Sequence, residues 1–301
     1  MKYRITHLTR YTYEQDIANS YNRGCLLPRS LLYQKVESSS LEVTPTPSSL
    51  YSHPDYFGNL YTFFHVNSIH HRMDVKVTSQ VEVMPRGLEG TPGHSMPWED
   101  ALNQLEKDHS PRLLQARMLR VGTRMAPTDP ELAAFARDLF ERGLPLLEGA
   151  RRLTHRIFSE FTYDPEFTTL TTPVRTVLEE RRGVCQDFAH LAISALRSLG
   201  IPAGYVSGYL ETLPPPGKQR LVGADASHAW FSVFDPSLGW VDFDPTNDLM
   251  PDERHITVAY GRDYADVVPL KGLMSGGGRH DLHVEVDVMP LAGRETRSAT
   301  S

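Results

Sequence analysis

Hydrophobic and polar positions alternate with a period of two along the first part of the chain. Tyr3, Ile5, His7, Thr9, Tyr11 and Tyr13 share one parity, as do Leu41 and Val43, then Met73, Val75 and Val77, then Val81 and Val83. That period puts alternate side chains on one face of a sheet, so residues 1–88 read as a β-rich domain. Polar turns at Pro45–Ser49 and Asp55–Asn59 separate its strands. A Gly/Pro-rich stretch, Arg86–Pro97, breaks the pattern, and helical spacing runs from Trp98 to about Phe161. Residues 89–145 are thus expected to be a linker and helical segment, and residues 146–270 a mixed core. Residues 271–301 read as a glycine hinge at Ser275–Arg279, a strand marked by Leu282, Val284, Val286 and Val288, and a tail from Ala292. That strand suits either the N-terminal sheet or the edge of the core sheet.

Within the core, Phe188, Ala189, Leu191, Ala192, Ala195, Leu196 and Leu199 recur at helical spacing. Cys185 falls in the first turn of this helix, and Gly183 is expected to let the chain turn tightly before it. Unpaired N–H groups and the positive end of the helix dipole there favour thiolate over thiol. The alternative is a small packed hydrophobe, as free cysteines often are. Tyr205, Val206, Tyr209 and Leu210 then suit a strand, and His228–Phe234 and Trp240–Asp244 flank a turn at Asp235–Gly239. Antiparallel pairing would bring His228 level with residues around Asp242 to Asp244. A histidine fixed by an acid can take the proton of a thiol, the arrangement of a thiol-based catalytic triad. Asp242 and Asp244 share parity, so the pleat does not choose between them.

Composition narrows the classes. Hydrophobic residues make up 40% and charged residues 23%, as in a globular protein. A net charge of −6 gives no reason to expect nucleic acid or an anionic membrane as partner. No apolar run approaches a membrane span, and MKYRITHLTRYTYEQ lacks the apolar core of a signal peptide, so a cytoplasmic location is expected. Two cysteines far apart make no disulfide framework, and Cys25 reads as a packed thiol. His70-His71 lacks companion ligands, so no metal or other cofactor is expected.

Three segments, GVCQDFAHLAISALRSLGIPAGYVSGY, SHAWFSVF and GWVDFDPTND, resemble the transglutaminase-like superfamily of papain-type folds. The match is to its bacterial members with a dedicated N-terminal β-domain, which YRITHLTRYTYEQDI, NRGCLLPR and DYFGNLYTFF also resemble. GRDYADVVPLKG and LHVEVDVMP are similar to the tail of that family. The resemblance implies an α+β fold: a helix bearing the cysteine packs on an antiparallel sheet bearing histidine and aspartate. It makes Cys185 the nucleophile, His228 the base and Asp244 the orienting acid, with Asp242 an exposed extra. Tyr163 becomes the candidate oxyanion donor beside the Cys185 N–H, with a packing tyrosine as the alternative. Trp230 and Asp187 are candidates for the substrate cleft, although Asp187, two residues after Cys185, also suits a helix cap. His190 reads as a satisfied helix histidine.

The expected activity is acyl transfer on an amide of a peptide or protein substrate through a thioester. Hydrolysis is the default, and transglutamination or a silent binding module are the alternatives. The loop Glu211–Ala226, with Lys218 and Arg220, is the expected rim of the cleft. The residues carry no reading of oligomeric state.

Overall fold

The computed structural model describes residues 1–88, 90–167, 169, 172–212 and 227–291. Much of the loop Glu211–Ala226, including Lys218 and Arg220, and the tail from Ala292 lie outside the described residues.

The alternating N-terminal pattern folds as one seven-stranded antiparallel sheet. Its strands are β1 (Lys2–Gly24), β2 (Gln34–Thr44), β3 (Ser49–Pro54), β4 (Leu60–Val66) and β5 (His70–Val83), joined by β12 (Lys271–Gly276) and β13 (His280–Pro290). The long β1 lies at the centre. An irregularity between Thr12 and Ile17 divides it into a half paired with β5 and β13 and a half paired with β4 and β12. The final strand therefore returns to the N-terminal sheet, with Ile5 opposite Val288 and His7 opposite Val286. The expected glycine hinge is instead a tight hairpin connection. Gly277 and Gly278 adopt positive φ, and the Gly277 and Arg279 carbonyls accept hydrogen bonds from the Gln15 and Glu14 N–H groups.

The second layer holds α1 (Trp98–Lys107), α2 (Pro111–Met118), α3 (Pro130–Arg137), α4 (Leu146–Glu160), α5 (Val174–Glu180) and α6 (Cys185–Ser198). They surround a four-stranded antiparallel sheet ordered β10-β9-β8-β11: β8 (Ala203–Leu210), β9 (Ser227–Asp235), β10 (Gly239–Phe243) and β11 (His255–Gly261). Leu132 and Ala136 of α3 share one core with Leu191, Ala192 and Ala195 of α6, so packing around α6 begins before residue 146. Alternation along β9 separates two faces. Ala229, Phe231 and Val233 join the core containing α6, whereas Phe234 packs with Leu105, Leu113 and Ala116. The architecture is α+β.

Two side-chain amides seal an edge that would otherwise be open. Gln34 donates to the Thr257 carbonyl at 2.7 Å and accepts from the Thr257 N–H at 2.8 Å. Asn59 does the same for Tyr260, at 2.6 and 2.8 Å. Both bind β11, an edge strand of the core sheet, so the N-terminal half satisfies backbone groups that neighbouring strands do not. Buried Tyr3, Ile5, Val81 and Val83 continue the apolar core across the junction.

Candidate active site

The site begins where β7 (Arg182–Gly183) runs into α6. β7 pairs in parallel with β6 (Thr162–Tyr163), which sets Tyr163 opposite Gly183. Asp187 is buried, and its Oδ2 accepts the Val184 N–H at 2.8 Å. This is a third-position acid reaching back to the N-cap, and it fixes the direction in which the helix starts. Gly183 has a different role from the one expected: a Cβ there would stand 2.9 Å from the Asp187 Cβ, so glycine makes room for the cap. Asp187 is therefore a structural cap and not a cleft wall. The Cys185 side chain, partly exposed at the first turn, lies near enough to His228 to influence its charge.

Strand register decides which acid reaches the histidine. Trp240 pairs with Phe234 and Asp242 with Ser232, four residues along β9 from His228. At about 3.3 Å per residue that separation is roughly 13 Å, beyond the reach of an aspartate. Asp244, just past the end of β10, is fully buried, and its Oδ2 lies 2.7 Å from His228 Nε2. The same oxygen accepts Asn247 Nδ2 at 2.7 Å and His255 Nε2 at 3.1 Å, and Oδ1 accepts the Thr246 N–H at 2.9 Å. Burial alone would raise the carboxyl pKa, but the hydrogen bonds from His228 and His255 outweigh it and hold Asp244 well below the usual carboxylate range. Burial likewise opposes a charged His228. The hydrogen bonds to Asp244 and Cys185 prevail and raise the imidazole to about 10.

Asp242 is not an exposed extra. It is buried, and its Oδ2 accepts Arg86 Nη1 at 2.6 Å and Trp230 Nε1 at 3.2 Å. Trp230 is itself fully buried, with its ring set edge-on to His255 at 5.4 Å, so it backs the histidines instead of lining a cleft. Tyr163 is half exposed, near the site mouth, and its hydroxyl pKa is raised by partial burial and by the nearby Cys185. His190 accepts the Tyr264 N–H at 3.2 Å, and burial lowers its pKa to about 4, which keeps it neutral. Cys25 is buried, and its thiol is pushed up to about 12 by that burial.

His255, Asn247 and Arg86 were not signalled as site residues by the sequence. Asn247 follows Asp244 in the DPTN turn. His255 and Arg86 are brought in by strand pairing and interdomain packing, which leave no local signature. His228, Asp244 and His255 also offer donor types that bind transition metals, with ligand atoms within 4.8 Å of one another. Their N···O separations of 2.7 and 3.1 Å are hydrogen-bond lengths.

Residues 133–245 match the family model described as the transglutaminase-like superfamily, and residues 3–82 match the bacterial transglutaminase-like N-terminal region. An uncharacterized protein of Mycobacterium tuberculosis is 40% identical over 97% of this chain and 94% of its own length. A protein-glutamine gamma-glutamyltransferase of Pseudomonas aeruginosa is 32% identical over 33% of this chain and 16% of its own length. A crystal structure from Cytophaga hutchinsonii, named as "a Putative Cysteine Protease", superposes with a TM-score of 0.73 at 22% identity, covering 98% of this chain and 92% of that one. That last likeness concerns the fold. Among the described residues, no helix is long and apolar enough to cross a membrane.

Proposed function

We propose that this chain, which belongs to the transglutaminase-like superfamily, is a cysteine-dependent enzyme that hydrolyses amide bonds of peptides or proteins through a thioester. The observation that carries this reading is His228 standing between the nearby Cys185 thiol and the buried Asp244 carboxylate, which it meets at 2.7 Å. His228 takes the thiol proton, and the Cys185 sulfur attacks the amide carbonyl carbon. The C–S bond forms as the carbonyl π electrons move to oxygen, where the Cys185 N–H and the Tyr163 hydroxyl stabilise the charge. Collapse breaks the C–N bond, and the His228 imidazolium gives its proton to the leaving amine. Water, deprotonated by His228, then attacks the thioester, and the acid leaves as the thiol is restored. Asp244 keeps the imidazole oriented and its charge compensated throughout, and His255 and Asn247 hold Asp244 in place.

Hydrolysis is preferred on concentration. Water is at about 55 M in bulk, and an amine competes only where a sheltered pocket desolvates the thioester. Tyr163, half exposed beside the nucleophile, supports access by water. Amine transfer is the second reading, favoured by the similarity to the Pseudomonas aeruginosa glutamyltransferase over a third of this chain. Incubation with a peptide library, with and without a biotinylated primary amine, separates the two by product mass. New termini or deamidated glutamine support hydrolysis, and amine incorporated at glutamine without cleavage refutes it. If neither product forms and Cys185→Ala changes nothing, the silent binding module holds.

A further inference from the structure

On the face of the core sheet turned away from α6 lies a cavity of about 660 Å³. None of Cys185, His228 or Asp244 lines it. It opens between the two halves of the chain. Leu32, Tyr33, Met84 and Leu88 come from the N-terminal half and the segment after it, and Trp240 comes from β10. The lining is mainly apolar, with a few polar groups converging from Arg29, Arg86, Ser232 and Asp242, the composition expected of a small-molecule site.

The polar groups are incompletely used. The Arg86 side chain is only 6% exposed, and its guanidinium lies over the Tyr33 ring at 3.8 Å. Nη1 donates to Asp242, but Nε and Nη2 are buried with no hydrogen-bond partner. Those two nitrogens form the guanidinium edge that engages a carboxylate through two parallel N–H bonds. Ser232, opposite Asp242 in the strand register, carries a second unpartnered buried donor in its hydroxyl, and Arg29 Nε is a third. Native structures seldom leave such groups orphaned. Asp242 balances the charge of Arg86, and among the described residues no carboxylate forms an ion pair with Arg29, so the cavity keeps one net positive charge.

We infer that this cavity binds a small amphipathic carboxylate. Its head group accepts from the Arg86 Nε–Nη2 edge, with the Ser232 hydroxyl as a neighbouring donor, and its apolar body lies against Leu32, Met84, Leu88 and Trp240. The site is separate from the cysteine chemistry but mechanically close to it. Asp242, which holds Arg86, also accepts Trp230 Nε1, and the Trp230 ring stands against His228 at 5.9 Å and His255 at 5.4 Å.

The carboxylate could come from an acyl chain or from a peptide C-terminus, and titration calorimetry on the full chain distinguishes these sources. Decanoate and N-acetyl-leucyl-phenylalanine are titrated beside decanol, all into Cys185→Ala protein so that turnover plays no part. At least one carboxylate should bind about tenfold or more tightly than decanol, and the tighter of the two identifies the source. Arg86→Gln should abolish that preference. Because Arg86→Gln also strips Asp242 of its ionic partner, Leu32→Glu provides the control. Leu32 is fully exposed at the cavity mouth, so an added carboxylate repels the probe without touching the fold. A photoreactive diazirine analogue of decanoate should label peptides containing Leu32, Met84 or Trp240. Carboxylates binding no better than decanol, or labelling confined to other peptides, would overturn the inference.

Discussion

His255 Nε2 lies 3.1 Å from the Asp244 oxygen that also binds His228 at 2.7 Å, so one buried carboxylate serves two histidines. The second histidine is fully buried and held at both ring nitrogens, with Nδ1 3.1 Å from an Asp252 carboxylate oxygen and Nε2 facing Asp244. His255 is thus a positioning residue for the proposed triad. A hydrogen bond to a charged group contributes about 1.5–3 kcal/mol. His255→Phe should therefore lower kcat/KM by roughly 10- to 100-fold, while His255→Gln, which keeps an N–H donor, should retain more activity. Steady-state kinetics of the two variants, each checked for folding by circular dichroism, gives the comparison. Equal losses would reduce His255 to a packing residue.

Asp242 and Asp244 should fail in different ways. Asp244→Asn should fold and lose up to about 10⁴ in turnover, by analogy with the orienting acid of serine enzymes. Asp242→Asn leaves Arg86 buried without its counter-charge, and breaking such a pair costs about 3–5 kcal/mol of stability. Denaturant melts and kinetics on both variants test the division. A stable Asp242→Asn enzyme with the larger loss of turnover would reverse the assignment of the acid.

The parts of this arrangement that were legible in the sequence are those set by local pattern. Cys185 is placed by the apolar stripe from Phe188 to Leu199, and His228 by the alternation along β9. Asp235 organises the intervening turn, as its position before Pro236 suggests: its Oδ1 accepts the Ser237 and Leu238 N–H groups at 2.8 and 3.0 Å. What was misjudged depends on register. Parity alone puts Asp242 and Asp244 on one face, and only the pairing of Asp242 with Ser232 shows that Asp242 is too far along the strand for His228. The burial of Asp242 further depends on Arg86, a residue of the connecting segment 156 positions earlier. The choice of β1 as partner for Leu282–Val288 is equally nonlocal, because an alternating strand fits any half-buried sheet edge.

The pH dependence should follow His228. Its pKa is raised from 6.5 to about 10 in the folded protein. The stability gained from its imidazolium is therefore fully present below 6.5 and is lost as pH rises through about 10. An activity that needs the imidazolium to protonate the leaving amine should persist through mildly alkaline pH and fall toward 10. Asp244→Asn removes one cause of the upward shift and should move this alkaline limb to lower pH. A profile of kcat/KM against pH for both proteins checks the direction, and a limb unmoved by the substitution would contradict it.

The close grouping of His228, Asp244 and His255 makes metal dependence a concrete rival. Activity in EDTA with a reductant present should equal that of untreated enzyme, because hydrogen bonds occupy the ligand atoms and the thiol needs protection from oxidation. Loss of activity in EDTA that zinc or calcium restores would favour the rival.

The most direct test of the proposed chemistry is the rate at which Cys185 is alkylated. Folded protein at neutral pH is treated briefly with iodoacetamide, and each cysteine is quantified by mass spectrometry in wild type and in His228→Gln. Wild type should be modified at Cys185 at least about tenfold faster than the variant, because His228 takes the thiol proton. Buried Cys25, with its thiol pushed up to about 12, should stay unmodified in both. Equal rates at Cys185 in the two proteins, or modification of Cys25 first, would contradict the activation of Cys185 by His228.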